Sequence, residues 1–123
     1  MRDLLLVGAG GFVGAILRYA IGLALIPRMP TTFPVHTFLI NVTGSLALGM
    51  IAGAAEMRPI AEWIRPALGI GVLGAYTTFS TFTAETVGLA ARGEPGMATA
   101  YVIASVALGV GAAVAGLALG RAL

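Results

Sequence analysis

The sequence predicts an all-α membrane protein of four transmembrane helices, and three observations lead there. Of its 123 residues 59% are hydrophobic and 10% charged, with a mean hydropathy of +0.99, whereas about a quarter of a soluble domain is charged. The apolar residues gather into four runs, each near or above the ~20 residues a helix needs to cross ~30 Å of hydrocarbon. None of the runs alternates or stops at about 10 residues, as the strands of a membrane barrel would.

The first run, about 4–26, ends at Pro27-Arg28-Met29-Pro30, and the second, about 35–55, ends at Glu56-Met57-Arg58-Pro59. The third, about 64–91, lies between Glu62 and Arg92. The fourth, about 97–120, follows the turn signal Arg92-Gly93-Glu94-Pro95-Gly96 and stops before Arg121. Short loops join them, so residues 1–123 read as one four-helix transmembrane domain. The first run is too long for a signal peptide, and three more follow it.

Several function classes drop out. No cysteine is present, so neither a disulfide nor a cysteine-based metal site can form. The net charge of +2 comes from seven arginines scattered singly against five acids, which leaves no footprint for nucleic acid. Leu4-Leu5-Leu6-Val7 followed by Gly8, Gly10 and Gly14 imitates a dinucleotide-binding turn. The acidic residue expected about 20 positions later is missing, since the next acid is Glu56, and no parallel-sheet pattern follows. Gly10 and Gly14 instead make a small-xxx-small pair that lets membrane helices approach closely. The same spacing recurs at Ser45, Gly49 and Gly53 and at Ala112, Gly116 and Gly120.

Four spans place the two termini and the second loop on one side of the membrane. That side carries Arg2, Arg58, Arg65 and Arg121, against Arg28 and Arg92 on the other, with Arg18 close enough to snorkel toward it. The positive-inside rule gives only a weak preference from such a count. Either the signal is noisy or the chain inserts both ways. Four short helices barely enclose a polar path, so a functional pore calls for more than one copy.

Polar side chains inside hydrocarbon are costly and should face another helix or a watery cavity. Asn41 stands in the second span near Thr43 and Ser45. Its two readings are an interhelical hydrogen bond, worth about 0.6 kcal/mol on average, and a place on a pathway. Arg18 lies in the last third of the first span, where it either snorkels to the interface or makes an electropositive vestibule. His36, at the start of the second span, needs no function. Tyr101 and Ser105 share one helical face at i, i+4, a belt residue and its neighbour or part of a polar track. Glu85 is the single acid deep in a span, either paired with an arginine or coupled to protons.

The strongest signal is the third run. Its length of ~42 Å at 1.5 Å per residue exceeds a straight crossing, and its middle reads GVLGAYTTFSTF, with glycines leading into β-branched hydroxyls that weaken a helix. A break at mid-membrane is expected. Freed carbonyls there would suit a cation, whereas freed amides, hydroxyls and the positive edges of Phe79 and Phe82 would suit an anion. If the helix instead ran on, Tyr76, Phe79, Phe82 and Thr83 would share a face.

GGFVGAILRY (10–19), FLINVTGSLALG (38–49) and GVLGAYTTFSTFTAE (71–85) closely resemble the Fluc, or CrcB, fluoride channels of bacteria, in order along all four spans. The resemblance implies an antiparallel, dual-topology homodimer with two passive fluoride pores in the bacterial inner (plasma) membrane, surrounded by membrane lipid: a channel and not an enzyme. It implies that Asn41 is the pore asparagine, that Phe79 and Phe82 line the fluoride path with their ring edges, and that Ser80, Thr81 and Thr83 supply hydroxyls around it. Tyr101 and Ser105 resemble the polar track of the last span, and Arg18 the motif arginine of the first. The carbonyl oxygens of Gly74 and Thr77, from both subunits, are implied to hold a structural sodium ion. Gly74-Ala75 stands where relatives often have Gly-Gly, and Gly109 follows Ser105 by one turn, so the polar track ends early. The alternatives are a proton-coupled exporter resembling small multidrug resistance transporters, which would need a glutamate where this first span has Arg18, and a non-transporting assembly subunit.

Overall fold

Helix α1 (Arg2–Leu25) is apolar past its first turn except at Arg18 and Tyr19, and tightens into a 3-10 turn at Ile26–Arg28, where Pro27 removes a backbone donor. Helix α2 (Val35–Met57) begins directly after Pro34 and ends at Arg58, which precedes Pro59 and is extended as that position demands. Pro95 opens the last helix (Pro95–Ala122) at a position where its missing N–H costs nothing. The computed structural model describes residues 1–29 and 31–123, and among them no strand occurs.

The expected third span is not one regular helix. Residues Arg65–Leu73 wind as wide π-helical turns and pass without interruption into Gly74–Tyr76, and these together (65–76) are called α3. Thr77 (φ −78°, ψ 159°) and Thr78 (φ −152°, ψ 118°) are extended. Helix α4 (Phe79–Ala91) then begins, and α5 is Pro95–Ala122. Three helical stretches, Arg2–Arg28, Val35–Met57 and Pro95–Ala122, are long and apolar enough to cross a membrane; neither α3 nor α4 is.

Gly93, at φ 81°, joins α4 to α5. Glu94 N–H donates to the Leu89 carbonyl and Gly93 N–H to the Ala90 carbonyl, the pair of bonds of a Schellman turn, whose left-handed position only glycine adopts at no cost.

The packing follows the small-residue spacing. Helix α2 lies along α5, α1 along α3, and α4 against α5. A Cβ on Gly10 or Gly14 would strike the carbonyl oxygens of Ala67 and Val72 on α3. Likewise Gly49 and Gly53 abut the backbone of Ala113 and Leu117, and Gly116 and Gly120 that of Leu46 and Met50. The two glycine ladders of the second and last helices therefore face each other, backbone to backbone. Outward, Leu4, Phe12, Tyr19, Ile70, Phe79 and Val114 are exposed, which is how a chain solvated by lipid or by another copy presents itself. The accessible area of 7367 Å² exceeds the roughly 6,100 Å² expected for a compact soluble monomer of 12.4 kDa.

Candidate functional site

The interruption at Thr77 and Thr78 is built from local bonds. The Thr77 N–H and its hydroxyl both donate to the Leu73 carbonyl, at 3.0 and 2.9 Å, which closes α3. Thr78 is the N-cap of α4: its hydroxyl oxygen accepts from Thr81 N–H at 3.2 Å. The Thr78 hydroxyl in turn donates to the Thr81 hydroxyl at 3.0 Å. Thr78→Val should remove the cap and cost about 1 kcal/mol, read as a lowered melting temperature of the purified protein; an unchanged value would show that the cap contributes nothing.

Asn41, on α2, supplies what the interruption lacks. Its Oδ1 accepts from Thr78 N–H at 2.9 Å and its Nδ2 donates to the Thr78 carbonyl at 3.2 Å. The carboxamide thus pairs with one extended residue as a neighbouring strand would, and buried Thr78 is satisfied at both backbone groups. One Nδ2 hydrogen is left over from this pairing.

The break frees carbonyls at the end of α3 from their helical donors, those of Gly74 and Thr77 among them. In a continuous helix the Gly74 carbonyl would accept from Thr78 N–H, which goes to Asn41 instead. The Thr77 carbonyl would accept from Thr81 N–H, which goes to the Thr78 hydroxyl instead. Both lie at the C-terminal, negative end of α3, while the first amides of α4 present the positive end of a helix on the other side of the gap.

Around this gap lies a cavity of about 330 Å³, walled by Asn41, Thr77, Thr78, Phe79, Phe82 and Ser105 and reaching Gly74. Phe79 is 77% exposed beside it, and its ring centroid lies 5.9 Å from that of Phe82, tilted by 47°. The Ser105 hydroxyl is buried with no hydrogen-bond partner, an orphan that a buried group should not be. Phe82 also meets Tyr101 edge-on at 5.1 Å.

The remaining expected residues lie elsewhere. Thr81 lines a second cavity, of about 370 Å³, with Arg18, His36, Thr37 and Thr78; Thr78 is common to the two. Ser80 is exposed, and Thr83 donates back to the Ser80 carbonyl at 3.0 Å, so neither hydroxyl joins the Phe79–Phe82 wall. Tyr101 and Ser105 share a face of α5 but have different surroundings: the buried Tyr101 hydroxyl donates to Glu85 Oε2 at 2.8 Å.

Reading the sequence missed Thr78, although a threonine preceding a helix start is the ordinary N-cap signal. It also missed Thr37, which donates to Glu85 Oε1 at 2.9 Å. Glu85 is paired with no arginine: its carboxylate receives Thr37 and Tyr101 and stands 3.5 Å from His36 Nε2.

Residues 5–117 match the family described as CrcB-like protein, Camphor Resistance (CrcB). The chain is 46% identical over 122 residues to the fluoride-specific ion channel FluC of Rhodospirillum centenum, covering 98% of this chain and 97% of that one. It is 49% identical over 115 residues to the FluC of Deinococcus radiodurans (93% and 91%). Against the FluC of Rhizobium meliloti it is 44% identical over 124 residues (100% and 99%).

Proposed function

The chain belongs to the CrcB-like protein family, and from that membership we propose that it is a multi-pass bacterial plasma-membrane channel through which fluoride leaves the cell passively. The relatives' names support the ion. The observation that carries the reading is the gap held open by Asn41 beside a cavity of phenylalanine edges and an unpaired serine hydroxyl. Amides, hydroxyls and the positive rims of aromatic rings all attract an anion without binding it as tightly as a lysine or arginine would, which is the condition for both entry and exit. Arg18, in the adjoining cavity, raises the local anion concentration from one step away.

On this reading fluoride passes from the vestibule by Arg18 past Asn41, where the spare amide hydrogen meets it, and along Phe79 and Phe82 toward Ser105. Thr81 furnishes a hydroxyl on the wall of the vestibule, whereas the Thr83 hydroxyl is taken up by the Ser80 carbonyl and that of Tyr101 by Glu85, beside His36 on the vestibule side, so Ser80, Thr83 and Tyr101 support the path's surroundings rather than its wall. Passive exit is useful because fluoride enters as neutral HF under acid conditions and dissociates inside.

The working unit is an antiparallel homodimer. The exposed Phe79, the accessible area in excess of a compact monomer and the near-balance of arginines across the membrane support it. The interruption then lies at mid-membrane in each copy. Gly74 and Thr77 fit a structural sodium ion: the amides that would bond their carbonyls in a continuous helix go to Asn41 and to the Thr78 hydroxyl, and uncharged oxygen donors suit a hard cation. When bound, the ion would neutralise the negative ends of the two α3 segments.

A sodium-free preparation is expected to lose stability, by about 2.7 kcal/mol relative to sodium at 100 times its dissociation constant. Melting temperature and dimer fraction on size exclusion are the readouts; values identical with and without sodium would remove the ion from the account. Passive conduction is tested in potassium-loaded liposomes, where efflux to a fluoride electrode should need valinomycin to carry compensating charge. Efflux that proceeds without the ionophore and follows a proton gradient would mean a coupled exporter.

A further inference from the structure

A polar cluster joins the start of α2 to α4 and α5. His36 Nε2 lies 3.2 Å from the Thr37 hydroxyl and 3.5 Å from Glu85 Oε1. Both Glu85 oxygens accept from hydroxyls, Thr37 at 2.9 Å and Tyr101 at 2.8 Å, an arrangement that suits the ionised carboxylate. The side chains of His36 and Glu85 are 25% and 21% exposed, shielded enough for a change of charge to be felt nearby and open enough for protons to arrive. His36 also lines two cavities at once. One is the vestibule with Arg18, Thr78 and Thr81; the other, of about 540 Å³, lies under the loop between α1 and α2, with Leu25, Phe33 and Pro34 on its wall.

We propose that His36 and Glu85 form a proton-responsive pair that sets how readily anions enter the vestibule, with entry rising as the solution acidifies. The inference rests on the channel reading. The titratable and charged groups facing the pair are few: Arg18 and Tyr19 from α1, Glu85 from α4, and Tyr101 from α5 through its bond to Glu85. With a neutral imidazole, the Glu85 carboxylate opposes Arg18 in the field of the cavity. With a protonated imidazole, the carboxylate is paired and Arg18 is left as the net charge an approaching anion meets. Histidine is the side chain that ordinarily changes charge between about pH 5 and 8.

The magnitude follows from one elementary charge within about 10 Å of the path, partly screened, which is worth roughly a two- to five-fold change in anion occupancy. Planar-bilayer fluoride current is the measurement, because neutral HF carries none. The wild-type current should rise about two- to five-fold from pH 8 to pH 6. His36→Gln should bring that ratio to about one, and His36→Lys should do the same with the larger current at both pH values. A wild-type current that is flat or falls on acidification overturns the proposal whatever the variants do, as does a His36→Gln channel that keeps the wild-type ratio. No fluoride current at either pH would overturn the channel reading, and this inference with it.

Discussion

Gly116→Val is expected to remove most of the assembled protein. Gly116 sits in α5 where a Cβ would strike the Leu46 carbonyl oxygen of α2, and the obstacle is backbone, which cannot rotate away as a side chain can. Gly49, Gly53 and Gly120 make the same kind of approach along the same interface, so forcing the helices apart at one rung loosens the others. Overpacking a core costs about 1–3 kcal/mol even where side chains can yield, against a total stability of roughly 5–15 kcal/mol. The control lies on the same helix: a Cβ at Gly111 meets nothing within 4 Å. Gly111→Val should elute as wild type on size exclusion while Gly116→Val gives aggregate or no protein. Equal elution of the two would mean that α2 and α5 do not depend on this contact.

Asn41→Asp is expected to cut fluoride efflux at least about tenfold, equivalent to 1.4 kcal/mol, with the folded protein retained. The carboxylate still accepts from Thr78 N–H but no longer donates to the Thr78 carbonyl, and both bonds are present in the native structure. It also brings a negative charge against the cavity that Asn41 shares with Phe79, Phe82 and Ser105. Two like charges 4 Å apart repel by about 4 kcal/mol at an effective dielectric constant of 20, so the efflux loss should exceed any loss of stability. Unchanged efflux through Asn41→Asp would move the path away from Asn41.

Much of this was legible in the chain. Prolines at 27, 34, 59 and 95 fall at or beside helix ends because a missing donor and a restricted preceding residue stop or start helices locally. The small-residue spacing exposes close helix packing for a similar reason: glycine leaves room for backbone. Spacing did not say which ladders would meet, and the structure joins that of the second span to that of the last.

What stayed hidden depends on partners distant in sequence. Asn41 and Thr78 are 37 residues apart, and Thr37 and Glu85 are 48 apart. The run of hydroxyls marked the region, yet its members divide by geometry. Thr77 and Thr78 close and cap helices, Thr81 borders the cavity it shares with Arg18, and Thr83 spends its hydroxyl on its own helix. The π-helical turns at Arg65–Leu73 had no sequence signal beyond glycine content. Glu85, conspicuous as an acid inside an apolar run, could be placed from sequence but not explained until α2 and α5 brought Thr37, His36 and Tyr101 to it.

The most direct test of the account is anion efflux from liposomes carrying the purified protein, followed with fluoride- and chloride-selective electrodes after valinomycin is added. Rapid fluoride release with chloride release no faster than from protein-free liposomes is the predicted result. Equal release of the two anions, or no fluoride release from protein that elutes as a folded dimer, would contradict it.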